Sequence, residues 1–269
     1  MGKMISFANQ KGGVGKTTSA VNIAASLGVL GYKTLLVDLD PQGNATSGVG
    51  VAKKGLKFTI KDVLMGDCKI EDSIIQTEFE KLSLIPANMS LAGTEFDLLQ
   101  EDTPEPWAVM RNAFASIKDQ YDYIVVDCPP SLGMLTVNAL AAADNVLIPV
   151  QAAYLPAKGL EQLLETVNKV KRQINPKLKI EGILLTMVDS RTNYSKDISN
   201  LIRESYGGKL KVYKTDIPRS VRAEEISAEG TSIFKHDPKG KVAEAYKVLT
   251  KEVLHNAEKR RKHQLEGVR

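Results

Sequence analysis

Short uninterrupted apolar runs alternate along the chain with longer stretches in which apolar residues recur every three or four positions. Met4–Ala8 is the first run, of strand length, and Ala20, Ile23, Ala24 and Leu27 follow at helical spacing up to Gly31. Lys33–Asp38 is β-branched and apolar and ends in acid. Strand, helix, strand at this spacing predicts a right-handed βαβ unit and a parallel sheet. Beyond a polar, turn-rich loop, residues 55–75 read as short helical pieces, with Thr59 as N-cap before Ile60, Val63 and Leu64. Leu82–Pro86 is another strand. Residues 90–99 and 107–120 read as helices joined by the acidic, proline-containing loop 101–106. Tyr123–Asp127, Val146–Val150 and Ile180–Met187 are strands, with a helix over roughly 157–174 between the last two. Val212–Pro218 reads as a last short strand, before helices at about 219–229 and 239–263. The expectation is one α/β domain over residues 1–269, a doubly wound, mostly parallel sheet with helices on both faces.

Two interruptions of the apolar pattern carry chemistry. Gln10–Thr18 read Gln-Lys-Gly-Gly-Val-Gly-Lys-Thr-Thr between the first strand and the first helix. Backbone N–H groups of such a turn converge on a phosphate, and the helix dipole adds about half a unit of positive charge. Lys16 would reach the β/γ-phosphates and the Thr17 hydroxyl would ligate Mg²⁺. The common spacing is Gly-x-x-x-x-Gly-Lys-Ser/Thr; here Gln10 stands at its first glycine, and Gly12, Gly13 and Gly15 plus a second lysine, Lys11, are supplied instead. Ligands of parallel sheets sit at the carboxyl ends of strands, so Asp38 and Asp40 should emerge beside this loop. Asp127, at the end of a wholly apolar strand, would deliver a carboxylate to the Mg²⁺ sphere. Asp40 could instead be a structural turn acid, while Asp38 is equally well structural or part of the Mg²⁺ shell.

Composition narrows the field. Of 269 residues, 43% are hydrophobic and 25% charged, ordinary for a soluble protein with a sizeable core. No apolar run of about 18 residues occurs, and the chain enters its first strand without a secretory pattern, so a cytoplasmic protein is expected. Cys68 and Cys128 form no close pair and read as small hydrophobes. His236, His255 and His263 lie late and unclustered, so no acid–base pair is implied. The net charge is only +4, but residues 191–222 hold eight Lys/Arg against three acids, +5, and residues 251–269 hold six against three, +3, leaving −4 for the rest. A basic patch confined to the C-terminal third points to a polyanionic partner.

The segments K-G-G-V-G-K-T-T, L-V-D-L-D-P-Q-G-N-A-T and I-V-V-D-C-P-P-S, in this order, with Leu184–Met187 and Ile217–Arg219, closely resemble ParA-type partitioning ATPases, most of all the short Soj-like members, over about residues 3–255. The loop resembles the deviant Walker A of the ParA/MinD group. The resemblance implies a P-loop ATPase using ATP and Mg²⁺. Lys11 would be the signature lysine that contacts nucleotide in the opposite protomer of a homodimer, and Gly12, Gly13, Val14, Gly15, Lys16, Thr17 and Thr18 the phosphate loop. Asp40 would orient the attacking water, so that Lys11, Lys16 and Asp40 form the catalytic set; Thr17, Asp40 and Asp127 serve the metal. Pro218 and Ser220 would pack the adenine, Ser220 replacing the more usual asparagine. Arg191 matches a position tied to non-specific double-stranded DNA binding, with Arg219 and Arg222 in the same basic third. A ParB-like partner would stimulate hydrolysis and release the dimer from the nucleoid.

Other readings on the same fold are weaker. A MinD-like ATPase would end in an amphipathic membrane helix, but after Ala257 only Leu265 and Val268 are large and apolar, so no stable membrane binding is expected. A ligase passing γ-phosphate to a carboxylate would need a second substrate site that nothing in the sequence marks. The nitrogenase iron protein shares the lysine-rich loop, but Asp-Cys-Pro-Pro-Ser around Cys128 does not match a cluster-ligand segment. The first strand begins by residue 3, so no N-terminal helix-turn-helix, and no sequence-specific DNA recognition, is expected.

Overall fold

A computed structural model describes residues 2–100, 103–152, 157–223, 225 and 231–266, the side chains of 157–158 and 257–266 excepted. In chain order the elements are β1 (Lys3–Phe7), α1 (Lys16–Val29), β2 (Thr34–Asp38), α2 (Asn44–Gly48), α3 (Ile60–Leu64), β3 (Ile75–Gln76), β4 (Leu82–Ile85), α4 (Thr94–Gln100) and α5 (Val109–Phe114). Then come β5 (Tyr123–Asp127), α6 (Met134–Ala142), β6 (Asn145–Gln151), α7 (Ala157–Gln173), β7 (Lys179–Thr186), α8 (Asn193–Gly207), α9 (Ile233–His236) and α10 (Lys241–Glu266). The seven strands form one sheet in the order β3-β4-β2-β5-β1-β6-β7. All pairs are parallel except β3 with β4.

Alternation along the strands splits the core in two, as expected when both faces of a parallel sheet are covered. Ile5, Phe7, Leu36, Leu84, Val125 and Leu184 face α1 and α10 in one apolar cluster. Met4, Leu35, Val37, Ile124, Val126 and Ile183 face α3, α5, α6 and α7 in the other. Thr59 caps α3 as anticipated, its backbone N–H donating to Asp62 Oδ2 at 2.6 Å.

Several elements depart from the sequence reading. The turn-rich stretch after Asp40 holds the short helix α2. The two-residue edge strand β3 and the helices α6 and α8 are additional. The expected strand over 212–218 is instead two isolated parallel bridges, Ile183 with Val212 and Val188 with Pro218. It fails as a continuous strand because Ile217 N–H donates to Leu185 O while Tyr213 N–H donates to Ile183 O, so four residues on one side are matched to two on the other. Of the helix expected over 219–229, residues 221–223 are helical and most of the remainder lies outside the described residues.

Candidate active site

β1 lies between β5 and β6, so the loop leaving it emerges at the centre of the sheet. Residues 8–15 carry the chain from β1 into α1. Gly15 caps the helix with φ +77° and Gly13 has φ +71°, the left-handed region that glycine enters without strain. A Cβ built on Gly12 or Gly13 would meet nothing within 4 Å, so no packing contact demands a glycine there and the loop faces open space. The loop is pinned from behind. Asn9 Nδ2 donates to Pro149 O at 2.7 Å, Asn9 Oδ1 accepts from Lys11 N–H at 3.0 Å, and Thr186 Oγ1 donates to Val14 O at 2.9 Å. The first turn of α1 contains no acid, so its N–H groups present an uncancelled positive end.

The two lysines are disposed differently. Lys11 is exposed. Lys16 is 6% exposed and its ammonium donates to Lys11 O at 3.2 Å. Burial lowers the Lys16 pKa, against the opposing pull of Asp127, the Cys128 thiol and Asp40.

Three acids converge at the ends of β2 and β5, where parallel pairing sets Asp38 directly beside Asp127. Asp38 is fully buried. Its Oδ2 accepts from Thr46 N–H and Thr46 Oγ1, each at 2.7 Å, and its Oδ1 from Asp40 N–H at 3.2 Å. Burial, only partly offset by these bonds, raises its pKa to about 6. Thr46 Oγ1 also accepts from Ala87 N–H at 3.0 Å, so Asp38 ties the loop after β2 to the end of β4. With both oxygens occupied by the protein, Asp38 serves that loop. Asp40 is 8% exposed; Oδ1 accepts from Gln42 N–H at 2.9 Å in an Asx turn, and Oδ2 has no bond among the described residues. The two sequence readings of Asp40 are thus compatible: one oxygen holds the turn and the other is available.

Asp127 is unlike either. It is fully buried, and neither oxygen has a partner of good hydrogen-bond geometry among the described residues. Burial first, then the neighbouring Asp38, push its pKa well above the carboxylate range; the Thr17 hydroxyl and the Lys16 ammonium pull it back. A buried carboxylate without donors is costly unless a cation completes it. Asp127 beside the Thr17 hydroxyl is a hard-oxygen donor set that fits Mg²⁺. Cys128, next along, is buried and its thiol pushed up by burial and by Asp127, which makes it an inert hydrophobe.

Beside the loop opens a cleft lined by Gly15, Thr18, Met187, Pro218, Ser220 and Tyr246, among others. Pro218 and Ser220, the residues expected to pack the base, both line this cleft. Thr186, Met187, Val242 and Tyr246 also line it and were not foreseen, because they reach the loop only through the fold. Tyr246 OH and Ser19 Oγ share a buried hydrogen bond of 3.1 Å that ties α10 to α1.

The basic third is more internally compensated than its composition implies. Arg191, 85% exposed, grips Asp189 with Nε at 2.9 Å and Nη2 at 2.7 Å, holding that carboxyl down at about 2; Arg219 assists from nearby. Arg203 pairs with Asp216, Lys211 with Glu252 and Arg222 with Asp237. Arg191 and Arg219 are brought together around Asp189, whereas Arg222 is turned to a different acid.

A family profile described as an AAA domain matches residues 2–180. The chain is 47% identical to the sporulation initiation inhibitor protein Soj of Bacillus subtilis over 95% of its length and 100% of that protein's. It is 45% identical to the chromosome partitioning protein ParA of Myxococcus xanthus over 94% and 88%. Among solved structures it resembles a cobyrinic acid a,c-diamide synthase from Mycobacterium smegmatis with bound ADP and magnesium, at TM-score 0.84 and 36% identity over 96% of both chains. The septum site-determining protein MinD from Pyrococcus horikoshii, complexed with Mg-ADP, is more distant, at TM-score 0.74 and 26% identity over 94% and 96%. No helix among the described residues is long and apolar enough to cross a membrane.

Proposed function

Since the chain belongs to the ParA/Soj family of partitioning ATPases, we propose that it is an ATP-operated switch for DNA segregation, acting as a single unit over residues 1–269. The observation that carries this reading is the buried carboxylate of Asp127, whose oxygens have no well-formed hydrogen bond among the described residues, at the foot of a phosphate loop and next to a buried lysine. Residues 12–18 cradle the phosphates, Lys16 neutralises the β/γ oxygens, and Pro218, Ser220 and the other cleft residues receive the adenine. Thr17 and Asp127, with Asp40 alongside, hold Mg²⁺, which when bound neutralises charge on the transferring phosphoryl group. The available oxygen of Asp40 orients the attacking water. Phosphoryl transfer to water needs positioning and charge neutralisation rather than a covalent nucleophile, and these residues supply both.

The exposed Lys11 contacts the nucleotide of a second copy, so ATP favours a two-fold homodimer. Dimerisation doubles the surface around Arg191 and Arg219, which grips double-stranded DNA through phosphates without reading bases. With about four phosphates neutralised per dimer, log affinity falls with log salt at a slope of about −3.6. A ParB-like partner stimulates hydrolysis and returns the protein from the nucleoid to the cytoplasm.

Sizing wild type and Asp40→Ala with ATP, ADP and duplex DNA tests the scheme. The expected result is ATP-dependent dimers that persist on DNA in the variant and turn over in wild type. A particle mass indifferent to the nucleotide supplied would refute it. ATP-dependent sedimentation with anionic vesicles in place of DNA would move the protein to the MinD side of the group.

A further inference from the structure

Two isolated bridges join residues 212–218 to β7, and this segment leads straight into Pro218 and Ser220 of the cleft. Tyr213 N–H donates to Ile183 O and Ile217 N–H to Leu185 O, so the residues between them lie outside the ladder. The N–H groups of Lys214 and Thr215 accordingly find no backbone acceptor among the described residues. Donors set aside by such a bulge must be met by side chains or water.

Two neighbouring helices hold this bulge. From α10, Glu252 Oε1 accepts from Lys214 N–H at 3.3 Å, while Oε2 accepts from Thr215 N–H at 3.4 Å and Thr215 Oγ1 at 3.2 Å. Lys211 Nζ stands 3.3 Å from Oε1, and the Glu252 side chain is 20% exposed. From α8, Arg203 Nη1 donates to Tyr213 O at 2.7 Å and Nη2 to Asp216 Oδ1 at 2.6 Å. Hydrogen bonds to an ionised group are stronger than those between neutral ones. Residues 213–216 are thus gripped in succession by one guanidinium and one carboxylate from outside the sheet.

The helix that carries Glu252 also carries Val242 and Tyr246, which line the cleft together with Pro218 and Ser220. α10 therefore supplies one part of the cleft and holds the segment that supplies another.

We propose that Glu252, seconded by Arg203, is a positioning residue for the adenine. It acts through residues 214–218 and fixes how far Pro218 and Ser220 stand from α10, and so how closely the cleft fits a flat ring. The inference rests on the reading of the cleft as the adenine site and adds what sets its width. Its signature is selective. The phosphate loop is tied down separately, by Asn9 and Thr186, so loss of Glu252 should loosen the hold on adenine and spare the grip on the phosphates.

Calorimetric titration of the full-length protein with Mg-ATP and with Mg-tripolyphosphate, which has no adenine, separates the two grips. Glu252→Ala should weaken Mg-ATP binding about tenfold and leave tripolyphosphate binding within about twofold. In turnover it should raise KM for ATP by a similar factor, with kcat at saturating ATP unchanged; Arg203→Ala should move both in the same direction. Glu252→Gln keeps one carbonyl acceptor and Thr215→Val loses only the hydroxyl bond, so each should cost about two- to threefold. These two mild variants decide the matter should an alanine variant fail to fold. ATP affinity unmoved in both overturns the proposal, as does an equal loss for ATP and tripolyphosphate, or a fall in kcat with KM unchanged. Wild type that binds ATP no more tightly than tripolyphosphate would instead strike the reading of the cleft as the adenine site, so the two failures are distinguishable.

Discussion

The floor of the phosphate loop and the arginine rim beyond β7 treat charge in opposite ways. At the floor, Asp127 and Lys16 are buried, and the carboxylate has no well-formed hydrogen bond among the described residues. At the rim, Arg191 is almost wholly exposed yet already satisfied by a two-point grip on Asp189. Burial without compensation costs stability and persists only where a ligand completes it; an exposed ion pair is worth at most about 1 kcal/mol and costs little to rearrange. The interior group is therefore the stronger pointer to function, and the rim is a surface whose cations must exchange an internal partner for an external one.

The comparison breaks most directly at Lys16. Lys16→Ala should lower phosphate release at least about 100-fold, because on the proposed reading this buried cation neutralises the transferring group; a fall of only a few-fold would place the chemistry elsewhere. Next in size is the pH dependence of the ligand-free protein. Asp38 titrates at about 6 instead of 3.8 and Asp127 is also raised, so the folded state holds more protons than the unfolded chain across that window. Stability must then fall as pH rises from 3.8 through about 6, by about 3 kcal/mol for Asp38 alone. Calorimetric midpoints should accordingly be several degrees higher at the acid side of this window than above it. A midpoint that climbs with pH would contradict the charge-strained floor.

Smaller effects sharpen the contrast between buried and exposed pairs. Tyr246→Phe removes the buried bond to Ser19 and should cost about 1 kcal/mol of stability, seen as a midpoint drop of a few degrees. Asp189→Asn releases the grip on Arg191 and should tighten DNA binding two- to fivefold, a change of at most about 1 kcal/mol. Arg191→Ala should instead weaken it and make the salt slope shallower by about 1. DNA affinity unmoved by either change would remove Arg191 from the interface.

Legibility in the sequence followed locality. β1, α1 and β2, and the run into Asp127, were readable because each is set by neighbouring residues: an apolar run, a helical period, a glycine turn. α6 was missed because it is buried nearly all round, from Leu135 to Ala142, and so lacks the polar stripe that marks a helix. α2 hides in residues that favour turns, and β3 has only two. In the site, the loop, Asp40, Asp127, Pro218 and Ser220 were placed from motifs, whereas Thr186 and Tyr246 were not. They lie 172 and 227 residues from their partners Val14 and Ser19. The acid partners of Arg191, Arg203, Lys211 and Arg222 were equally invisible, since a count of charges does not say which ones meet.

The long closing helix does more than cover one side of the sheet. Val242 and Tyr246 form a wall of the cleft beside the glycine loop, and Tyr246 and Asn22, through Ile233 N–H, latch the C-terminal helices to the first two turns of α1. On the proposed reading, nucleotide affinity is thus hostage to a segment more than two hundred positions downstream of the glycine turn. A protease cut or premature stop ahead of residue 240 would abolish ATP retention while leaving every recognisable motif intact.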